Sequence, residues 1–113
     1  MCMKVFFAGA SGAIGQRLLP MLLERGYQVL AITRSVQRAA ALEAAGARAL
    51  VLDVYDAEAL QAAVLAFQPR WMIHQLSDLP AGLDPALMPA AQPRNARLRR
   101  EGTANLVAAA RAA

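Results

Sequence analysis

The sequence predicts an α/β fold with a parallel sheet and helices on both of its faces. Three observations carry that prediction. Hydrophobic residues make up 58% of the 113 and aromatics only 5%, an Ala- and Leu-rich balance that suits helices on a buried sheet better than a β-sandwich. Short apolar runs alternate with stretches of helical length, and such alternation implies parallel strands joined by right-handed crossovers. Gly9-Ala10-Ser11-Gly12-Ala13-Ile14-Gly15 joins the first strand to the first helix, where a βαβ unit must turn sharply. The length suits a single domain, residues 1–113.

Val5-Phe6-Phe7-Ala8 is apolar throughout and reads as a strand buried on both faces. Residues 13–25 follow with helical spacing: Ile14, Leu18 and Leu22 share one face, and Gly26 supplies the stop. Pro20 falls inside this helix and removes a backbone bond, so a kink or local adjustment is expected there. The second strand covers 27–33, and Ser35 caps an Ala-rich helix that ends at Gly46. Residues 49–52 form the third strand. Asp56 caps a helix over about 57–67, closed by Pro69. Residues 71–76 form the fourth strand. A long loop then runs through Pro80, Gly82, Pro85, Pro89 and Pro93, of the kind that is usually functional or mobile. The last helix is expected from about Asn95 onward, and the chain stops at Ala113 without a stop signal, as a front portion of a longer protein would.

Composition closes off several function classes. The net charge of +4 comes from 12 basic and 8 acidic residues, but Arg94, Arg97, Arg99 and Arg100 crowd together without interleaved aromatics, so nucleic acid is not the expected partner. Cys2 is the sole cysteine, which excludes an internal disulfide and a Cys-rich metal site and suits a reducing cytoplasm. Lys4 and the apolar run after it are too short for a signal peptide, and no stretch is long and apolar enough to span a membrane.

The glycine run carries the chemistry. Gly9 lets the chain turn off the strand, Gly12 removes a side chain where backbone must approach a diphosphate, and Gly15 lets the helix pack on the sheet. The N–H groups near Ser11, Ala13 and Ile14 then face the anion. Alone the glycines are a weak signal; between a strand and a helix they become a strong one.

The spacing Gly9-x-x-Gly12-x-x-Gly15 resembles that of extended and atypical short-chain dehydrogenases/reductases, the NAD-dependent epimerase/dehydratase group. The resemblance continues through Leu52-Asp53-Val54, Ile73-His74-Gln75-Leu76 and Glu101-Gly102-Thr103-Ala104-Asn105-Leu106. It covers the whole chain, but only the N-terminal part of such a protein. It implies a Rossmann-like sheet of strand order 3-2-1-4, incomplete relative to the full family domain. It also implies that Asp53 accepts from the adenine amine with Val54 beside it, and that backbone at Leu76 lines the ribose. Asp53 has a structural alternative, an Asx turn leaving the strand.

An NAD site wants a carboxylate at the end of the second strand, where this chain has Thr33-Arg34-Ser35. Arg34 suits a 2′-phosphate instead, so NADP is preferred over NAD. His74, the only histidine, reads as a structural group rather than a catalyst or metal ligand.

The reaction centre is missing. The resembled family uses a Tyr activated by a Lys four residues on, yet Ala31 and Ala59 follow Tyr27 and Tyr55 at that distance, and Lys4 is the only lysine. Arg99 stands where the family often has Asn. Asp78 and Asp84 have no evident partner to tune them. The expected function is therefore NAD(P) binding without turnover by the chain alone. A small-molecule substrate enters only if a further C-terminal part completes the site. Two alternatives stay open: a non-catalytic redox-sensing or interaction module, dimeric through Leu98, Leu106 and Val107 of the last helix, and a nucleotide-sugar or flavin binder.

Overall fold

The computed structural model describes residues 3–78 and 83–113; Cys2, Pro80 and Gly82, singled out above, lie outside the described residues. Its elements are β1 (Lys4–Ala8), α1 (Gly15–Glu24), β2 (Gln28–Thr33), α2 (Val36–Ala44), β3 (Arg48–Val51), α3 (Ala57–Phe67), β4 (Trp71–His74), α4 (Met88–Arg97), a π-helical turn (Leu98–Gly102) and α5 (Thr103–Ala112). The strands are parallel in the order β3-β2-β1-β4, as expected. Ala8 stands opposite Ile32 on one side and His74 on the other, so the strands finish together at one edge of the sheet.

The period-2 alternation of each central strand feeds two cores. Phe6, Ala8, Leu30 and Ile32 face Leu60, Val64 and Phe67 of α3 with Leu98, Leu106 and Ala109. Val5, Phe7, Val29 and Ala31 face Leu19 of α1 and Leu42 of α2. Helices thus cover both faces, and the near-continuous apolar run of β1 is explained by its central place.

Caps follow the sequence closely. Ser35 Oγ accepts from the Arg38 N–H at 3.2 Å, and Asp56 Oδ1 from the Ala59 N–H at 3.1 Å. The first helix differs from expectation. It begins at Gly15, so Ile14 precedes it and is 61% exposed, while Leu19 takes the core position beside half-buried Leu18 and Leu22. Pro20 faces solvent and α1 runs through it to Glu24.

The proline stretch also differs. Asp84 Oδ1 accepts from the Ala86 N–H at 3.0 Å in the turn ahead of α4, which begins at Met88, seven residues before Asn95. Pro89 sits in the first helical turn, where a missing N–H costs nothing, and Pro93 is carried inside the helix. Proline read as punctuation hid this element. Leu98 and Leu106, expected on an outward stripe, are buried in the core, and of the three stripe residues Val107 alone is exposed.

Candidate functional site

The site lies at the carboxyl ends of the strands. From β1 the chain winds to β2 and β3 on one side, while β4 lies on the other, so the connections part and leave a crevice above β1. Gly9 has φ +99°, and a Cβ there would overlap the Gln75 backbone and come 2.8 Å from Leu76 N. That backbone is pinned, because the Gln75 N–H donates to the Ala8 carbonyl at 2.8 Å. Gly15 is buried under the turn, where a Cβ would overlap the Gly9 carbonyl and lie 2.6 Å from Ala10 Cα. Both glycines are demanded by the protein's own packing.

Gly12 is not. It is exposed, and the one neighbour a Cβ would meet is the Gly9 oxygen at 3.4 Å, an ordinary contact. Its N–H closes the turn onto Gly9 O at 3.1 Å. The N–H groups of Ser11, Ala13, Ile14 and Gly15 meet no acceptor among the described residues. Unlike α2 and α3, α1 has no side-chain cap, and unlike α3 it has no acidic residue in its first turn. This helix start therefore offers bare donors and an uncompensated positive dipole end beside an open glycine surface.

A cleft of about 320 Å³ runs from the turn across β2 and β3, lined among others by Gly9, Ser11, Arg34, Arg38, Asp53 and Val54. Thr33 Oγ1 accepts from the Ser35 N–H at 3.2 Å, shaping the bend that sends Arg34 outward. Arg34 and Arg38 are exposed, and neither has an ion-pair partner among the described residues. Asp53 Oδ1 accepts from the Tyr55 N–H at 2.9 Å, so the Asx turn is real; Oδ2 has no partner among the described residues. Val54 is buried, and its carbonyl accepts from Asn105 Nδ2 at 3.0 Å. Gly102 lets the π-helical turn lean close, since a Cβ there would stand 3.4 Å from Val54 Cγ1.

A larger open groove of about 1130 Å³ continues past Gly12, Ala13, Ile14, His74, Leu76 and Arg99. The Leu76 N–H donates to His74 Nδ1 at 3.2 Å, which holds the backbone after β4 and fixes the neutral imidazole with its proton on Nε2. Burial, and secondarily the Arg99 charge, push the His74 pKa below its ordinary 6.5. The unfolded chain thus takes a proton near pH 6.5 that the folded chain still declines, so stability is full above that pH and falls on acidification until the folded imidazole titrates. Urea unfolding at about pH 7.5 and about pH 5.5 is expected to show a loss on acidification that is smaller in His74→Gln; equal losses in both proteins would contradict it.

Nine of the ten expected site residues line these two spaces: Gly9, Ser11, Gly12, Ala13, Ile14, Arg34, Asp53, Val54 and Leu76, with Gly15 packed beneath the turn. Sequence reading missed Arg38, whose signal was its place one helical turn after Arg34, behind the Ser35 cap. It also left Asp78 unpartnered, whereas Asp78 Oδ2 lies 3.5 Å from Arg94 Nε and its N–H donates to Asn95 Oδ1 at 2.9 Å. These partners come from α4, an element the prolines concealed. Tyr55 lies under the Arg97 guanidinium at 4.2 Å, and Tyr27 packs edge-on against Trp71 at the opposite end of the sheet. Among the described residues no three His, Cys, Asp or Glu side chains cluster as metal ligands, and no helix is long and apolar enough to cross a membrane.

A family model described as NAD(P)H-binding matches residues 9–113. A 3-diazoavenalumate denitrifying reductase from Streptomyces sp is 44% identical over 111 residues, which is 98% of this chain and 34% of that protein. The UDP-glucose 4-epimerase of Thermus thermophilus, solved with NAD, superposes with a TM-score of 0.69 at 25% identity, covering 96% of this chain and 34% of that one. That of Stenotrophomonas maltophila gives 0.77 at 14% identity over 97% and 34%, a likeness of fold. The chain spans about a third of the length of each of these.

Proposed function

This chain belongs to the NAD(P)H-binding family, and from that premise we propose that residues 1–113 are the dinucleotide-binding front portion of an NADP-preferring reductase. The observation that carries the site is Gly12, a glycine that the protein's own packing does not require, beside bare N–H donors. A diphosphate fits there, with Gly9 and Gly15 holding the turn in shape. The adenosine would run into the smaller cleft, its amine towards Asp53 Oδ2 and its base against Val54, with Leu76 backbone towards the other ribose. When bound, the nicotinamide supplies hydride; this chain's residues bind and orient it. The reductase reading draws on the Streptomyces relative's name.

Arg34 and Arg38 support the NADP preference, because two guanidinium groups without an ion-pair partner among the described residues flank the ribose side, and a 2′-phosphate would neutralise them. Arg34→Ala and Arg38→Ala are each expected to weaken NADPH binding about tenfold or more and NADH binding little, measured by calorimetric titration. Equal losses for both cofactors, or none, would remove the preference.

The cytoplasm is the setting we favour, since a lone cysteine suits a reducing compartment. A redox-sensing module is the second reading, favoured by the tyrosines: one is far from the cleft and the other lies beneath Arg97. A homodimer through α5 would have to use exposed Val107, and sedimentation at several concentrations tests it.

A further inference from the structure

The larger groove holds a charge that is not among the residues assigned above to the dinucleotide. Arg99 projects from the π-helical turn and lines the groove together with Ala13 and Ile14. The turn belongs to the sheet face covered by α3 and Leu98, and α1 to the other face, so the groove crosses the sheet's carboxyl edge between them. Nearby Arg94 and Arg97 are paired with Asp78 and Glu101, whereas Arg99 has no ion-pair or hydrogen-bond partner among the described residues. A cation held at a groove wall without a counter-ion is a place where an anion from outside is stabilised. Ile14, Leu76 and Leu83 give the same groove an apolar lining.

A diphosphate on the Ala13 and Ile14 amides, with its adenosine towards Arg34 and Asp53, leaves Arg99 at the nicotinamide end. We infer that Arg99 is a specificity-determining residue, which receives the carboxylate of a small acid with an apolar body at that end of the groove. The planar guanidinium offers two parallel donors to the two carboxylate oxygens. The inference rests on the dinucleotide reading, and the experiment below separates the failure of each.

The test uses benzoate and its uncharged counterpart benzamide on the NADP-saturated protein, with the His74 imidazole followed by NMR across pH. Burial first and the Arg99 charge second hold the His74 pKa down, so an anion that neutralises Arg99 lifts the charge's share and moves the titration upward. Benzoate is expected to raise the His74 pKa saturably and benzamide to leave it alone. Arg99→Ala abolishes the benzoate response and Arg99→Lys retains part of it, while NADPH affinity in Arg99→Ala stays within about twofold. An unchanged benzoate response in Arg99→Ala, or none in the unaltered protein, overturns the inference. So does a loss of about tenfold or more in NADPH affinity in Arg99→Ala, which would assign the guanidinium to the cofactor's phosphates. If the unaltered protein fails to bind NADPH, the dinucleotide reading falls, and this one with it.

Discussion

Gly9→Ala is expected to lower the melting temperature by roughly 10 to 25 °C. Two costs act together. The backbone at Gly9 has φ +99°, a conformation that side chains resist, and the added carbon would enter the Gln75 main chain. A flexible side chain could step aside, but Gln75 is tied to Ala8 by a strand-continuing hydrogen bond of 2.8 Å. Relief therefore means parting β1 from β4 at the edge where the crevice forms. A cost of about 3 kcal/mol is a large share of the 5–15 kcal/mol typical of a folded protein. A melting point within about 2 °C of the unaltered protein would show that the close approach of β1 and β4 is wrong.

Gly12→Ala is expected to do the opposite: keep the fold and lose the ligand. The new methyl meets Gly9 O at 3.4 Å and nothing else, so the melting temperature should shift by less than about 3 °C. NADPH affinity should fall about hundredfold, or about 2.7 kcal/mol, because the carbon fills the surface on which the diphosphate rests. Unchanged affinity with an unchanged melting point would remove the diphosphate from this turn. The pair of variants separates glycine kept for folding from glycine kept for binding, which the sequence pattern alone does not distinguish.

Much of the fold was legible because its determinants are local. Ser35 and Asp56 announce their helices by capping chemistry that spans only four consecutive residues, and β1 announces its central place by apolar side chains on both faces. The glycine turn was legible for the same reason. What stayed hidden depends on contacts between distant residues. Nothing near Asp78 in sequence reveals Arg94 and Asn95, and nothing near Val54 reveals Asn105. The helix bearing Arg94 and Asn95 was concealed because Pro89 is tolerated in a first turn and Pro93 is carried by its surroundings. Ile14 was misjudged because the helix starts at Gly15, two positions later than expected, enough to turn it from the core towards the groove.

The helical stretch of α4, the π-helical turn and α5 meets the crevice at two separated points: Asn95 holds the segment after β4, and Asn105 holds the carbonyl beside the proposed adenine position. It works as a brace laid across both ends of the opening. A shortened protein stopping at His74 would keep the four described strands and still lose the shape of its mouth. The smallest piece fit to test for cofactor binding must therefore reach beyond Asn105, although the last strand among the described residues ends at His74.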